Sequence, residues 1–319
     1  MSGDSTALSW TTNSIRINFT GTGIKAMLKD ERGENYFKII IDGKLMPDLD
    51  LDATKHLYTI AAGLKPGKHS LELFKRTEWQ FGKTWFYGIM PENGVVVAAP
   101  VPHKRKIEFY GNSITCGYAV LDTAGKDRGT NDFEDGYLSY AAITARHFEA
   151  DYSCISKSGI GITVSWFPLI MPEMYDRLNA ADPNSKWDFK KYTPDVVVVN
   201  LFQNDSWIVK LPANEQFKAR FGSVPPTSVQ IIEAYKKMVA NIRSKYPKAQ
   251  IICALGSMDA TKAGSPWPGY IDAAVSQLQD KNIKTHFFAY KNTPGHPSKS
   301  EQQVMANDLI SYIDKNIKW

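Results

Sequence analysis

The sequence predicts a two-domain α/β protein in which an antiparallel β-sandwich precedes a parallel β-sheet covered by helices on both faces. The chain has 319 residues, of which 43% are hydrophobic, and this is too long for one typical domain. Up to about Ala99 apolar and polar residues alternate, whereas after "APVPHK" short apolar runs alternate with amphipathic segments. We therefore predict one domain over residues 1–102 and a second over residues 103–319.

The first domain is predicted to consist of strands. Apolar residues alternate at Ile15, Ile17 and Phe19, and further strand-like runs are "NYFKIIIDGKLM", "HLYTI", "HSLELF", "TWFYGI" and "GVVVAA". Asp42-Gly43 is a two-residue hairpin signal, and "GLKPG" at 63–67 is a second turn. Because no stretch here has helical spacing, roughly 90 residues of such strands indicate an antiparallel sandwich.

The second domain is predicted to be a parallel sheet. Its strands are "KIEFY", "DYSCIS", "DVVVVNLF", "AQIICALG" and "THFFAY", and its helices lie near 137–148, 227–245 and 300–313. The second helix carries apolar residues at helical spacing, namely Ile231, Tyr235, Met238 and Ile242. Ser298 and Glu301 form a capping box before the last helix. Continuous Val/Ile strands between helices are typical of a sheet buried on both faces, whose active site lies beyond the carboxyl ends of the strands.

Composition argues against several functional classes. The net charge of +5 is spread over isolated Lys and Arg residues, apart from the short run at 103–106, so no nucleic-acid partner is expected. No apolar run is long enough to span a bilayer, and "MSGDSTALSW" lacks the segments of a signal peptide. The protein is therefore either cytoplasmic or exported with its signal removed.

The cysteines and histidines do not form a metal-binding pattern. Cys116, Cys154 and Cys253 are odd in number and widely spaced, which predicts free buried thiols rather than a disulfide framework. The chain has no H-E-x-x-H motif and no Cys/His cluster. Accordingly, no metal or cofactor is predicted.

Polar groups follow three of the predicted strands and converge on one edge of the sheet. The first strand ends at "GNS" with Ser113, the second at "SKSGIG" with Gly159, and the third at "FQND" with Asn204. Acyl transfer needs a nucleophile, a base and donors for the oxyanion of the tetrahedral intermediate. Ser113 can supply the nucleophile and a backbone N–H, Gly159 a second N–H, and Asn204 a side-chain donor.

One histidine is placed to act as the base. Of the six, His296 stands alone in the loop "NTPGHPSKSE", between the last strand and the capped terminal helix, where the chain returns to the same edge. A lone histidine is usually a surface or core residue, but its place beside the three other groups favours a general base. The serine turn is not the G-x-S-x-G elbow of the α/β-hydrolases.

The segments "GNSI", "SGIG", "FQND" and "GHPS" resemble, in order and spacing, the four blocks of the SGNH (GDSL-type) hydrolases. The preceding "IDGK", "GLKPGKHSLELFKRTEW" and "FYGIM" are similar to the N-terminal jelly-roll of carbohydrate esterase family 2. The resemblance implies an SGNH-type, flavodoxin-like sheet and deacetylation of plant polysaccharides such as xylan and mannans, without metal or cofactor. It makes Ser113 the nucleophile, His296 the base, and Gly159 and Asn204 the oxyanion donors.

The sequence departs from these patterns at four places. Asn112 stands where the superfamily usually has aspartate, and Phe202-Gln203 stands where the third block commonly has Gly-Thr. Thr293 occupies the position of the triad aspartate, so we predict a Ser-His dyad whose imidazole is held by a backbone carbonyl, within 292–295 or near Trp267. Gly295 stands where family members have tryptophan, which predicts a wider acceptor site.

Three further features have two interpretations each. Trp267 in "GSPWPGY" and Trp207 just after Asn204 are candidate sugar-stacking residues, although most tryptophans are core or interface residues. "KRTEW" at 75–79 suits a substrate contact or, as we favour, a salt bridge between the domains.

The function predicted from the sequence is a secreted or periplasmic serine esterase whose partner is an acetylated polysaccharide. One alternative keeps the chemistry and changes the substrate, as in an SGNH lipase or thioesterase. The other is a carbohydrate-binding protein in which the sandwich does the binding and esterase activity is weak. The sequence indicates neither the sugar nor the oligomeric state.

Overall fold

The computed structural model describes residues 5–319, and its N-terminal part consists of two antiparallel sheets. The strands are β1 (Thr6–Leu8), β2 (Ser14–Gly21), β3 (Gly23–Asp30), β4 (Tyr36–Ile41), β5 (Lys44–Leu45), β6 (Leu49–Asp50), β7 (His56–Ala61), β8 (Gly67–Lys75) and β9 (Thr84–Glu92). One sheet has the order β1-β9-β3-β7, and the other has the order β2-β8-β4-β5 with β6 on β4. A 3-10 helix, Trp79–Phe81, connects β8 to β9.

The two sheets share one apolar core, which confirms the predicted sandwich. Alternate residues of β3 point inward, and these pack with inward residues of the other sheet: Ile24, Ala26, Leu28, Ile39, Ile41, Leu71 and Leu73. The predicted hairpin at Asp42-Gly43 is present, with φ angles of 51° and 74°. Two positive φ values are what the tight turn between twisted strands requires.

The prediction of a strand at "GVVVAA" is wrong. Its Val95 and Val96 are 62% and 51% exposed, and the segment makes a single β-bridge, between Val96 and Phe19. The segment runs along β2, an edge strand, and exchanges only a few backbone hydrogen bonds with it. Apolar composition alone suggested a strand, but the chain leaves the sandwich here, and β10 begins at Arg105. The boundary between 102 and 103 stays a prediction.

The second part of the chain is a parallel sheet with helices on both faces, as predicted. Its strands are β10 (Arg105–Gly111), β11 (Ala150–Ser156), β12 (Val196–Asn200), β13 (Gln250–Leu255) and β14 (Ile283–Phe287). Its helices are α1 (Ser113–Cys116), α2 (Tyr140–His147), α3 (Met171–Met174), α4 (Gln203–Ile208), α5 (Glu215–Phe221), α6 (Ser228–Lys245), α7 (Trp267–Leu278) and α8 (Lys299–Asn316). Short 3-10 helices lie at Gly136–Leu138, Phe189–Lys191 and Asp259–Thr261.

Successive residues of β12 face opposite sides of this sheet. Val197 and Val199 belong to a core that contains the apolar residues of α6 and α7, while Val196 and Val198 belong to a core with α2 and α8. Burial on both faces explains why this strand is a continuous valine run rather than an alternating one. The apolar residues predicted for α6 are all buried.

The strand order places three strand ends side by side. The order is β11-β10-β12-β13-β14, so β11 is added on one side of β10 and the later strands are added on the other. Gly111 at the end of β10 pairs with Ser156 on one side and with Asn200 on the other. The three segments that follow these residues therefore start from the same edge, at the switch point where open α/β sheets bind their ligands.

Cys116, Cys154 and Cys253 are buried free thiols, as the spacing predicted. Within residues 5–319, none of the helices combines the length and the hydropathy that crossing a bilayer requires. The same residues contain no group of three or more His, Cys, Asp or Glu side chains arranged to hold a metal ion.

Candidate active site

Ser113 is the first residue of α1 and lies at the sharp turn that ends β10. The Asn112 side chain caps this helix, because its Oδ1 accepts the Ile114 N–H at 3.1 Å. A neutral amide therefore caps the helix at the position where the superfamily usually has aspartate. Ser113 is only 6% exposed. The turn ends the strand abruptly and directs one hydroxyl toward the loops at the edge of the sheet.

His296 meets Ser113 from the loop that precedes α8. The distance from Ser113 Oγ to His296 Nε2 is 2.8 Å, and the imidazole packs on the Tyr118 ring with 4.3 Å between centroids. Gln302 of α8 fastens the helix to the nucleophile turn by donating from Nε2 to the Ile114 carbonyl at 2.9 Å. The predicted proximity of Ser113 and His296 is confirmed, across 183 positions in the chain.

The predicted dyad with a carbonyl partner is wrong, because a carboxylate holds the imidazole. Asp127 Oδ1 lies 2.8 Å and Oδ2 3.1 Å from His296 Nδ1, and Oδ1 also accepts the His296 backbone N–H at 2.9 Å. A carboxylate requires Nδ1 to carry the proton, which leaves Nε2 free to accept from Ser113. The hydrogen bond from His296 holds the pKa of Asp127 below its ordinary value. Ser113, His296 and Asp127 thus have the geometry of a catalytic triad.

Gly295 makes room for this carboxylate. Its φ is +69°, which favours glycine, and a Cβ added there would lie 3.0 Å from Asp127 Cγ. The expectation that Gly295 widens the acceptor site is therefore wrong. Asp127 fills the space, and any larger side chain at 295 would compete with it.

Thr293 belongs to a different network. Its hydroxyl donates to Glu301, and Lys291 Nζ donates to the Thr293 carbonyl at 2.9 Å and to its Oγ1 at 2.6 Å. Ser298 and Glu301 form the predicted capping box of α8. These contacts fix the loop that carries His296 and leave Thr293 no part in holding the imidazole.

Gly159 and Asn204 contact each other's loops beside Ser113. Asn204 Nδ2 donates to the Ile160 carbonyl at 2.8 Å, and the Asn204 Oδ1 accepts the Trp166 indole N–H at 3.1 Å. The backbone N–H of Trp166 donates to the Gly159 carbonyl at 3.1 Å. Gly159 has a φ of +82°, and a Cβ there would meet the Trp166 and Phe167 rings.

Three N–H groups are available to a ligand at this edge. Within residues 5–319, the backbone N–H groups of Ser113 and Gly159 have no hydrogen-bond acceptor. Asn204 Nδ2 donates one of its two hydrogens to the Ile160 carbonyl, and its second hydrogen is available to a ligand. This is the donor set that an oxyanion hole requires.

A strained turn precedes Asn204. Phe202 has a φ of +88°, a conformation that costs a side-chain-bearing residue about 1–3 kcal/mol. Its ring is fully buried against Tyr235 and Trp267, with centroid distances of 4.8 Å and 5.0 Å. Burial of the aromatic ring offsets the strain, so this chain keeps with phenylalanine the turn that the family commonly makes with glycine.

The tryptophan predictions need correction. Trp267 is 3% exposed and starts α7 with its ring in the core, so it cannot form a sugar platform. Trp207 is half-buried, packs against the core, and donates its indole N–H to Asp259 at 2.8 Å. Trp166 was missed, although it is 44% exposed and contacts both Gly159 and Asn204. The signal was its place in "GIGITVSWF", the loop that follows Gly159.

Asp127 was missed because it lies in the polar segment "DTAGKDRGTND", which has no periodicity and no motif. A loop of this length without regular structure, directly after the nucleophile turn, is itself a functional signal.

Asp205 also has a supporting role, since its carboxylate accepts N–H groups of Ile162, Thr163 and Val164 and closes the loop after Gly159.

The segment Lys75–Trp79 has a structural role at the domain interface, but the predicted salt bridge across it is wrong. Arg76 pairs with Asp48 within the sandwich, and the contacts of Arg76 and Glu78 across the interface are hydrogen bonds. Lys75, Thr77 and Glu78 are fully buried. Glu78 accepts the Ser158 N–H at 2.8 Å, which links the sandwich directly to the loop of Gly159.

Comparison with known proteins gives two family models. Residues 1–100 match the model described as carbohydrate esterase 2 N-terminal, and residues 109–299 match the GDSL-like lipase/acylhydrolase family. The chain is 34% identical to the cellulase/esterase CelE of Acetivibrio thermocellus over 97% of its own length, which is 38% of that protein. It is 24% identical to an acetylxylan esterase / glucomannan deacetylase of Cellvibrio japonicus, over 94% of this chain and 81% of that protein.

A solved structure shares the whole architecture. A family two carbohydrate esterase from Clostridium thermocellum, in complex with cellohexaose, superposes with a TM-score of 0.87 at 33% identity. The match covers 98% of this chain and 95% of that one. Both the sandwich and the parallel sheet therefore have counterparts in a single known protein.

Proposed function

The chain belongs to carbohydrate esterase family 2, and we propose that it is a serine esterase that removes O-acetyl groups from plant polysaccharides such as acetylated xylan, mannan or glucomannan. The observation that carries this proposal is the continuous hydrogen-bonded chain from Ser113 Oγ through His296 to Asp127, with both links at 2.8 Å. No metal and no organic cofactor has a role in the reaction proposed.

In the first half of the reaction Ser113 Oγ attacks the acetyl carbonyl carbon while His296 Nε2 takes the hydroxyl proton. Asp127 stabilises the imidazolium that forms. The negative oxygen of the tetrahedral intermediate is held by the Ser113 and Gly159 N–H groups and by Asn204 Nδ2. The intermediate then expels the sugar oxygen, which receives the proton from His296, and an acetyl ester remains on Ser113.

In the second half a water molecule replaces the sugar hydroxyl. His296 removes a proton from this water as it attacks the acetyl-serine carbonyl, and the same donors hold the second oxyanion. Collapse of this intermediate releases acetate and returns the proton to Ser113. One base therefore serves both half-reactions.

Two observations support a carbohydrate as the alcohol part of the ester substrate. The exposed ring of Trp166 offers an apolar face of the kind that stacks on sugars, beside the donors that bind the acetyl oxygen. The Cellvibrio japonicus relative carries the name acetylxylan esterase / glucomannan deacetylase. Since such polymers lie outside cells, we propose that the protein is secreted or periplasmic.

Acetate release from acetylated xylan and glucomannan by wild type and by Ser113→Ala tests the proposal. We expect the variant to fold normally and to release no acetate above background, because a turn hydroxyl contributes little to stability while the nucleophile has no substitute. Turnover by Ser113→Ala close to that of wild type would refute the serine mechanism. Hydrolysis of long-chain acyl esters in preference to acetylated glycans would favour a lipase, and glycan binding without acetate release would favour a binding protein.

A further inference from the structure

Beneath the loop of Gly159 lies a buried carboxylate that comes from the sandwich domain. Glu78 is fully buried, and its Oε2 accepts the Ser158 N–H at 2.8 Å. On the other side of Gly159, the Gly159 carbonyl accepts the Trp166 N–H at 3.1 Å. The Gly159 amide is thus bracketed by two hydrogen bonds, one from each domain, and it is the one amide of this stretch whose N–H is left for the acetyl oxygen.

A second buried acid holds Glu78 in place. The Glu78 backbone N–H donates to Glu134 Oε1. Within residues 5–319, Glu78 Oε1 and Glu134 Oε2 are both buried and have no hydrogen-bond partner. Burial, together with the neighbouring Glu78 carboxylate, raises the pKa of Glu134 well above its ordinary value. Burial beside a second carboxyl group therefore favours the neutral form of Glu134.

The backbone under Glu78 is also fixed. Lys75 Nζ, fully buried, donates to the Thr77 carbonyl at 2.8 Å and to the Glu78 carbonyl at 3.3 Å. Next to this contact the Lys157 ammonium lies over the Trp79 ring at 4.6 Å and over the Phe167 ring at 3.8 Å. Both ends of the Ser158 contact are therefore held by further hydrogen bonds and cation–π contacts.

We propose that Glu78 is a positioning residue for the oxyanion hole: by accepting the Ser158 N–H, it aims the adjacent Gly159 N–H at the developing oxyanion. This rests on the esterase function proposed above. It makes the sandwich a part of the active site, since the residue that orients one of the three donors belongs to the other domain.

The test compares Glu78→Ala and Glu78→Gln with wild type on acetylated xylan. Loss of a whole oxyanion donor costs about 10²–10³ in kcat, so a misdirected one should cost less, about 10–10² in Glu78→Ala, with KM changed by less than about threefold. In Glu78→Gln the amide oxygen can still accept from Ser158 while its NH₂ faces Glu134, so kcat should stay within about threefold of wild type.

The matched control is Arg16→Gln. Arg16 forms an ion pair with Asp151 across the same domain interface, but at the opposite end of β11 from Gly159. This variant also loses an interdomain contact, so it reports on interface stability without touching the site. We expect it to keep kcat within about twofold of wild type.

A second measurement separates positioning from stability. Phenylboronic acid forms a tetrahedral adduct with a reactive serine and places an oxygen in the oxyanion hole, so Glu78→Ala should weaken its inhibition by the same factor as kcat. If Glu78→Ala does not fold, Glu78→Asp takes its place, because the shorter side chain keeps the charge and withdraws from Ser158. Wild-type kcat and boronate inhibition in a folded Glu78→Ala or Glu78→Asp protein would overturn the proposal, as would equal losses in Arg16→Gln. Absence of acetate release by wild type would instead refute the esterase function itself.

Discussion

Replacement of Asp127 by asparagine should separate the contribution of the third triad member from that of the other two. The substitution keeps the shape of the side chain and removes its charge, so the imidazolium that forms during the attack of Ser113 loses its counter-ion. In serine proteases the buried triad aspartate is worth about 10⁴ in kcat by this substitution. Here the Asp127 side chain is 35% exposed, so solvent weakens the interaction.

The magnitude follows from that exposure. Two charges about 4 Å apart interact by about 4 kcal/mol at an effective dielectric constant of 20 and by about 1 kcal/mol in bulk water. A partly exposed pair lies between these limits, and about 2.7 kcal/mol corresponds to a factor of about 10² in rate. We therefore expect Asp127→Asn to lower kcat by about 10², with little change in KM, whereas His296→Ala should be nearly inactive.

The assay is steady-state acetate release at neutral pH, with Lys126→Gln as the matched control. Lys126 is the exposed neighbour of Asp127 in the same loop, so its replacement changes the local charge without removing a partner of His296. Wild-type kcat in Asp127→Asn would show that the carboxylate has no electrostatic role. A loss of about 10⁴ would show that substrate binding buries the pair completely.

Four other outcomes are expected. Asn204→Ala should lower kcat by about 10²–10³ with a smaller change in KM, and a pure KM effect would make Asn204 a binding residue instead. Gly295→Ala should lower kcat as Asp127→Asn does, because its Cβ would lie 3.0 Å from Asp127 Cγ, and the double variant should lose little more; additive losses would disprove the shared cause. Because burial raises the pKa of Glu134, its contribution to stability is complete below the unfolded pKa of 4.5 and declines as pH rises through the folded pKa. The melting temperature of Glu134→Gln should therefore fall less steeply than that of wild type as pH rises above 4.5, and parallel curves would contradict this. EDTA should leave acetate release unchanged, and a loss restored by zinc would point to another chemistry.

The sequence predicted those site residues that lie at the ends of strands. Ser113, Gly159 and Asn204 follow β10, β11 and β12, and parallel strands bring their carboxyl ends to one edge whatever the loops do. His296 could be found because a capped helix fixes where its loop returns to the sheet. Strands and helices produce periodic sequence patterns that show where each element ends, so residues at those ends could be predicted.

Asp127 could not be predicted in this way. It reaches His296 across 169 positions from an irregular loop, and no rule of spacing connects the two. Trp267 was misjudged for a related reason, because the prolines on both sides of it suggested a loop. Pro266 and Pro268 instead lie at the start of α7, and the Trp267 indole is buried in the core. Proline is common in the first turn of a helix, so the same residues fit both interpretations.

The buried contact of Glu78 with Glu134 limits how the two domains of such a protein can be separated or exchanged. A hydrolase domain cut free at residue 103 would expose Glu134 and the Ser158 N–H to water. It would lose Glu78, whose backbone N–H donates to Glu134 and whose carboxylate accepts from Ser158. A donor sandwich from another esterase would restore the contact with Ser158 only if it also brought a hydrogen-bond acceptor to position 78. We therefore expect exchange of one domain without the other to give folded but poorly active chimeras, so the two domains should be exchanged as one unit.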